Sequence, residues 1–188
     1  MSFLFLGDRL AVDLLNTLIA DDDGALHDLL DERGVAAWGE ASGVIAPRAL
    51  SRAPTNEAAR LKSFREQLRP ELVHWAASGS VRPALVRRLN RHLARDPERS
   101  EVQLKNGEVL LSRRPVGSAL DRLYGAVARS AADMIATDEP GRLRKCANPA
   151  CRLMFYDVSK AGRRRWCSMQ TCGARAKMRA HYQRQRES

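Results

Sequence analysis

The sequence predicts a mainly α-helical protein in two parts. A helical N-terminal domain with one β-hairpin is expected over residues 1–140, followed over residues 141–188 by a small four-cysteine module with a C-terminal helix. Apolar residues recur at helical spacing through most of the first part. One Asn-Gly pair stands between two segments of alternating polarity, and all four cysteines lie in the second part.

The first part is predicted to begin with a short strand and two helices. Residues 3–6 are apolar and can form the strand. Asp8 can cap a first helix, which ends at the acidic turn over residues 21–24. A second helix is predicted over residues 26–41. The inward face of the first helix would contain Leu10, Leu14, Leu15, Leu18 and Ile19.

The longest periodic segment spans residues 55–77, and Pro70 is expected to kink it or divide it in two. The next helix is predicted to begin near Pro83 and to end at Asp96-Pro97. The faces predicted to be buried are Ala58, Leu61, Phe64, Leu68, Leu72 and Trp75 in the long helix and Leu85, Leu89 and Leu93 in the next one. The exposed face of that next helix would carry Arg87, Arg88, Arg91 and Arg95.

Asn106-Gly107 predicts a β-hairpin over residues 102–112, because a type I′ turn needs positive φ at both central residues. Helical periodicity returns over residues 117–137 and ends near Pro140-Gly141. This joint is short, so the last helix of the domain is expected to lead directly into the cysteine module.

The cysteines form two C-x4-C pairs, Cys146 with Cys151 and Cys167 with Cys172, and fifteen residues separate the pairs. This spacing can place four thiolates around one zinc ion. Two disulfides are the alternative, but nothing in the sequence marks export to an oxidising compartment. We therefore predict one structural Zn²⁺ per chain, with no open coordination position for catalysis. Metal binding would drive the folding of so small a module.

Positive charge is concentrated in the same module. Residues 141–188 contain thirteen Lys and Arg but two acidic residues, a net charge of +11, whereas residues 1–140 have a net charge of −1. Zinc bound by four thiolates would lower the net charge of the module to about +9. A surface this cationic is typical of nucleic-acid binding, with merely solubilising charge as the alternative.

Residues 174–186 contain neither Gly nor Pro, which predicts a closing helix. One stripe of this helix can face a phosphate backbone or a groove, whereas Ala174, Met178 and His181 would cover the zinc core. The predicted nucleic-acid contacts are Arg163, Arg164, Arg175, Lys177, Arg179, Tyr182 and Arg186. Arg175 and Arg179 are assigned to the groove, and Arg163, Arg164 and Lys177 to phosphates.

Several other residues of the module have two interpretations. Phe155 and Trp166 can stack on bases, but a module this small needs them as its apolar core, and Tyr182 is then the better stacking residue. His181 is expected to be a helix residue, because four cysteines already complete the metal site. Asp157 is expected to pair with an arginine, such as Arg165, or to cap a turn.

Asp13 and Asn16 lie one turn apart on an otherwise apolar helix. With Arg65 and Asn90 they can line a pocket for a small-molecule effector, or they can instead bind neighbouring backbone. No serine-hydrolase, phosphate-loop or zinc-protease motif occurs, so the sequence does not favour an enzyme. It contains no recognisable signal peptide or membrane span, which predicts a cytoplasmic protein without membrane association.

The module resembles the CGNR zinc finger. Beyond the four cysteines, the matching residues are Phe155, Asp157, Ser159, Arg164, Arg165, Trp166, Ser168, Gly173 and Arg175. Ala174 replaces the Asn of the family pattern, which removes a side-chain amide but no metal ligand. In that family the finger follows a mainly helical domain called ABATE. The beginning of that domain resembles this chain at residues 6–10, residues 13–17 and Trp38.

The resemblance covers nearly the whole chain and implies a stress-related transcription regulator. The net charge of +11 around the predicted metal site leads us to predict DNA binding by the finger, with the helical domain acting as a sensor, a homodimerisation surface or both. Two other hypotheses stay open: an RNA-binding or ribosome-associated protein, and a zinc-scaffolded module that binds an acidic protein.

Overall fold

The computed structural model describes residues 3–21, 23–50, 52–96 and 98–187; Asp22 and Pro97 of the predicted turns lie outside these ranges. The described α-helices are α1 (Leu10–Leu15), α2 (Glu32–Ala41), α3 (Glu57–Ser78), α4 (Pro83–Leu93), α5 (Ala119–Thr137) and α6 (Ala174–Glu187). The strands are β1 (Leu18–Ala20), β2 (Leu26–Asp28), β3 (Glu98–Lys105), β4 (Glu108–Pro115), β5 (Leu143–Lys145) and β6 (Met154–Tyr156), paired as three antiparallel hairpins. The predicted mainly α fold class is confirmed.

The beginning of the chain differs from the prediction. Residues 3–6 form no strand, and Asp8 does not cap α1, because its φ is +59° and Arg9 occupies the cap position. The first helix ends at Leu15, six residues before the acidic turn. Residues 18–20, which were predicted to continue this helix, instead form β1. They pair with β2, residues 26–28, where the second helix was predicted to begin.

Asp21 explains why this segment reverses direction. Its Oδ1 accepts hydrogen bonds from the backbone N–H groups of Asp23 and Ala25 at 3.0 and 2.8 Å. Gly24 has a φ of +86°, a conformation that favours glycine. An aspartate that binds the backbone ahead of it stabilises a turn in preference to a helix. The second helix consequently begins at Glu32, after an N-cap by Asp31.

The long helix is continuous. α3 runs through Pro70 for 22 residues, so the proline does not divide it. All six of its predicted inward residues are buried, and Leu68 and Leu72 on either side of Pro70 are fully buried. We infer that packing of this face holds the helix together despite the hydrogen bond that Pro70 cannot make. Pro83 begins α4, as predicted.

The predicted β-hairpin is confirmed and is longer than expected. β3 and β4 are eight residues each, and Lys105 pairs with Glu108 across the turn. Asn106 and Gly107 have φ values of +53° and +83°, as a type I′ turn requires. The next helix, α5, begins with a capping box in which Ser118 and Asp121 bind each other's backbone N–H groups.

The finger and the helices share a hydrophobic core. Leu143, Met154 and Tyr156 of the β5–β6 hairpin pack into the main core, which is formed largely by the helices. Phe155, on the opposite face of β6, packs into a second small cluster with the cysteines, Leu153 and Leu6. One short hairpin therefore joins the two clusters. No described helix is long and apolar enough to cross a bilayer.

Candidate metal centre and basic surface

The four cysteine sulfurs lie within 4.8 Å of one another. Cys146 directly follows β5, and Cys172 lies in a π-helical turn, Met169–Gly173, that leads into α6. Cys167 Sγ lies 3.8 Å from Cys151 Sγ and 3.7 Å from Cys172 Sγ. Sulfurs at the corners of a tetrahedron around zinc are about 3.8 Å apart, given Zn–S bonds near 2.3 Å. All four cysteines are free of disulfides, so the arrangement fits a metal site.

The surrounding polar groups suit thiolates. The backbone N–H of Cys167 donates to Cys146 Sγ at 3.4 Å, and the side-chain amide of Asn148 donates to Cys172 Sγ at 3.4 Å. Such donors stabilise and orient charged ligands. Asn148 is buried, and sequence reasoning did not identify it; its only signal was its place in the loop between Cys146 and Cys151.

Neighbouring cysteines also shift one another's pKa values. Hydrogen bonds, chiefly from Cys167, lower the pKa of Cys151 to about 5. Hydrogen bonding to Cys151, burial and neighbouring negative charge raise the pKa of Cys167. Four thiolates this close repel one another, so a cation at their centre would stabilise them.

Asp157 organises the loop between the two cysteine pairs. Its carboxylate is fully buried and accepts hydrogen bonds from the Ser159 hydroxyl and backbone and from the Arg164 backbone N–H, at 2.6–3.0 Å. Burial alone would raise the pKa of Asp157, but these hydrogen bonds and the charge of Arg144 lower it overall. Asp157 thus pairs with an arginine and caps a turn, as expected, but its partner is Arg144 at 3.5 Å and not Arg165, which lies over the Trp166 ring.

Arg164 is held within the protein, although it was predicted to contact phosphate. Its guanidinium donates to the carbonyls of Trp166 at 3.0 Å, Cys167 at 2.5 Å and Leu6 at 3.2 Å. It also forms an ion pair with Asp8 and lies over the Phe155 ring at 4.3 Å. Five groups from both parts of the chain thus converge on this side chain, and its geometry favours a structural role.

The remaining predicted contact residues lie on the surface. Those exposed are Arg163, Arg175, Lys177, Arg179, Tyr182 and Arg186. Arg179 also approaches the side-chain oxygen of Asn148 at 3.4 Å. These exposed residues lie on α6 and, for Arg163, on the connector before Cys167, and we call them together the basic surface.

The inward face of α6 was predicted incorrectly. Met178 is 57% exposed, and His181 is also exposed, so neither covers the cysteines. The half-buried residues of the helix include Ala176 and Ala180, whose small side chains permit a close approach to the rest of the finger. Phe155 is fully buried, as expected for a core residue.

The four residues proposed for an effector pocket make mostly internal contacts. Asp13 Oδ1 accepts a hydrogen bond from the Gly7 backbone at 2.7 Å, and burial raises the pKa of Asp13 to about 6. Asn16 binds the Met154 backbone through both amide atoms, each at 2.9 Å. This geometry supports the alternative in which both side chains bind backbone.

Arg65 and Asn90 give no support to that pocket either. Arg65 is buried and makes a two-pronged contact with Asp28 at 2.9 and 2.8 Å, and it also donates to the Thr17 hydroxyl at 3.0 Å. Asn90 is exposed on α4. Arg65 therefore fixes the β1–β2 hairpin against α3.

Two family models match the chain. Residues 8–138 match ABATE, described as "Putative stress-induced transcription regulator", and residues 142–185 match the CGNR zinc finger. Their order along the chain confirms the resemblance, and neither is an enzyme family. No curated protein matches the chain.

Proposed function

Since the chain belongs to the ABATE family and ends in a CGNR zinc finger, we propose that it is a zinc-dependent, DNA-binding transcription regulator. Residues 141–188 would contact DNA, and residues 1–140 would act as the sensor and dimerisation domain. The stress role belongs to this proposal and rests on the family description alone.

The observation that best supports DNA binding is the excess of exposed positive charge on the finger. Asp157 is the only acidic side chain of the finger that the structure describes, and it is buried. It therefore cannot neutralise Arg163 or Lys177 at the surface. Cations in such numbers attract a polyanion through release of its counterions.

We propose Cys146, Cys151, Cys167 and Cys172 as the ligands of one structural Zn²⁺. A site with four protein ligands leaves no position for substrate or water. The zinc would therefore hold the basic surface in place and take no part in a reaction. The cytoplasm suits this site, since its reducing conditions keep thiols free.

The experiment that tests DNA binding is selection from a randomised duplex DNA library by the zinc-loaded chain at near-physiological salt, with structured RNA as competitor. We expect a defined DNA motif to be enriched and to resist the RNA. Preferential binding to RNA would contradict the proposal, and the absence of any nucleic-acid binding would favour an acidic protein partner.

A pair of charge-matched variants tests the basic surface. Arg163→Gln with Lys177→Gln should weaken DNA binding about tenfold and reduce the slope of log K against log salt by about 2, because each lost phosphate contact removes roughly 0.9. Arg87→Gln with Arg91→Gln removes the same charge from the exposed face of α4 and should change neither quantity appreciably. Equal effects of the two pairs would mean that only overall charge matters.

We further propose that the chain forms a homodimer through the β3–β4 hairpin. Val102, Leu104, Val109 and Leu111 stand on one face of it, and each is 64–76% exposed. An apolar face on an exposed ribbon is typical of an interface, and the same face of a second copy would complement it around a two-fold axis. Two-fold regulators commonly read paired half-sites.

Analytical ultracentrifugation tests the dimer. The wild-type chain should sediment as a dimer at micromolar concentration, whereas Val102→Lys with Leu111→Lys should sediment as a monomer. Gln103→Lys with Ser112→Lys adds the same charge to the opposite face of the hairpin and should remain dimeric. A monomeric wild-type chain would refute the proposal.

A further inference from the structure

A cavity lies between α3 and the zinc finger. Its volume is about 490 Å³, which is within the range of small-molecule sites. Val73 and Ala76 of α3 form one apolar wall, and Leu143 and Met154 of the β5–β6 hairpin form the other. The two parts of the chain thus each contribute one side.

Three cations line this cavity: Arg69 from α3, and Lys145 and Arg152 from the finger. Among the residues that the structure describes, no acidic side chain lines it. The Nε atoms of Arg69 and Arg152 are buried and have no hydrogen-bond partner within the described part of the chain. An unpaired buried donor is costly, and a pair of them beside one cavity points to an acceptor that the protein itself does not supply.

The charge of Arg69 supports the same conclusion. Burial and then the charge of Arg152 lower the pKa of Arg69. Its Nη2 already donates to the Leu15 carbonyl at 2.6 Å, which fixes the guanidinium beside the cavity. A bound anion would relieve the repulsion between the two arginines.

We propose that this cavity binds a small organic anion, with a carboxylate between Arg69 and Arg152 and an apolar body against Val73, Leu143 and Met154. Guanidinium groups suit a carboxylate because their planar N–H donors match its two oxygens. Because the walls are mostly apolar, an organic anion fits the cavity better than a simple inorganic anion does. Residues 13, 16, 65 and 90 are not part of this site.

The site is placed to influence the finger. Lys145 directly precedes Cys146, and Arg152 directly follows Cys151, so both finger cations adjoin proposed zinc ligands. A ligand held by them and by Arg69 would bridge α3 and the finger. This effector role rests on the proposed DNA-binding function, and linkage requires the ligand and DNA to alter each other's affinity by the same factor.

Calorimetric titration of the zinc-loaded full chain with 2-naphthoate tests the site without DNA. We expect one saturable site per chain, with decanoate as a second probe and acetate, which lacks the apolar body, binding at least tenfold more weakly. The absence of saturable binding by both 2-naphthoate and decanoate would overturn the proposal.

Two valine variants localise the binding. Val73 lines the cavity and is 45% exposed, whereas Val86 lies on α4 away from it and is 43% exposed. Val73→Glu should weaken 2-naphthoate binding at least tenfold, because its own carboxylate competes for the cations. Val86→Glu should bind as the wild type does. Equal binding by the two variants would place the ligand elsewhere and overturn the assignment.

The effector role has a separate test. Saturating 2-naphthoate should change the affinity of the wild-type chain for its selected DNA at least fivefold and leave that of Val73→Glu unchanged. Unchanged wild-type affinity despite calorimetric binding would overturn the effector role while the site itself stands. If the chain binds no DNA at all, the proposed function fails, and calorimetry still decides whether the cavity binds anions.

Discussion

Replacing Cys172 with serine is expected to destabilise the whole chain by roughly 5 kcal/mol or more, because zinc binding supplies folding free energy. Cys172 is buried, and its sulfur lies 3.7 Å from that of Cys167. A serine hydroxyl is a poor ligand for zinc beside three thiolates. The loss should extend beyond the finger, since Leu143, Met154 and Tyr156 complete the main core.

Metal analysis and thermal unfolding by circular dichroism test this expectation. The wild type should contain one zinc per chain, and Cys172→Ser or a strong chelator should lower the midpoint of the helical transition as well as remove the metal. Met178→Ser, at an exposed position of α6, should change neither zinc content nor midpoint. An unchanged helical transition in metal-free protein would mean that the two parts fold independently.

The elements predicted correctly have local signals. The apolar stripe of α3, the proline that begins α4 and the Asn106-Gly107 turn each specify their structure within a few residues. The clustering of the cysteines was likewise predictable, because the spacing of Cys146, Cys151, Cys167 and Cys172 is itself the signal.

The β1–β2 hairpin was missed because its stabilising contacts are distant in sequence. Leu18 and Ile19 continue the helical pattern of α1 as well as they suit a strand. The contact that favours the strand comes from Arg65, which binds Asp28 at the end of β2 from 37 residues away. Apolar periodicity does not contain this information.

The joint between the helices and the finger was missed for the same reason. Asn16 binds the Met154 backbone across 138 residues, so the sequence showed an unusual polar residue without its partner. A pocket was one explanation of that residue. The cavity between α3 and the finger is lined by Arg69 and Arg152, which are ordinary cations in the sequence and meet only in the folded chain.

Arg163 and Arg164 illustrate how two adjacent arginines can differ completely. The sequence places both in one basic run and predicts phosphate contact for each. In the structure Arg163 is exposed, whereas the Arg164 side chain is 23% exposed and binds Asp8, Leu6 and the finger carbonyls. The same substitution should therefore affect stability at Arg164 and DNA binding at Arg163.

Arg164→Gln is expected to cost about 3 kcal/mol of unfolding free energy, because it breaks charge-assisted hydrogen bonds and leaves the carbonyls without a donor. Arg163→Gln should change stability by less than about 0.5 kcal/mol and should instead weaken DNA binding. Chemical denaturation with zinc present, followed by DNA titration under conditions where both variants are folded, separates the two effects. If Arg164→Gln is as stable as the wild type but binds DNA less tightly, Arg164 contacts phosphate as the sequence predicted, and its contacts with Asp8 and Leu6 contribute little to the fold.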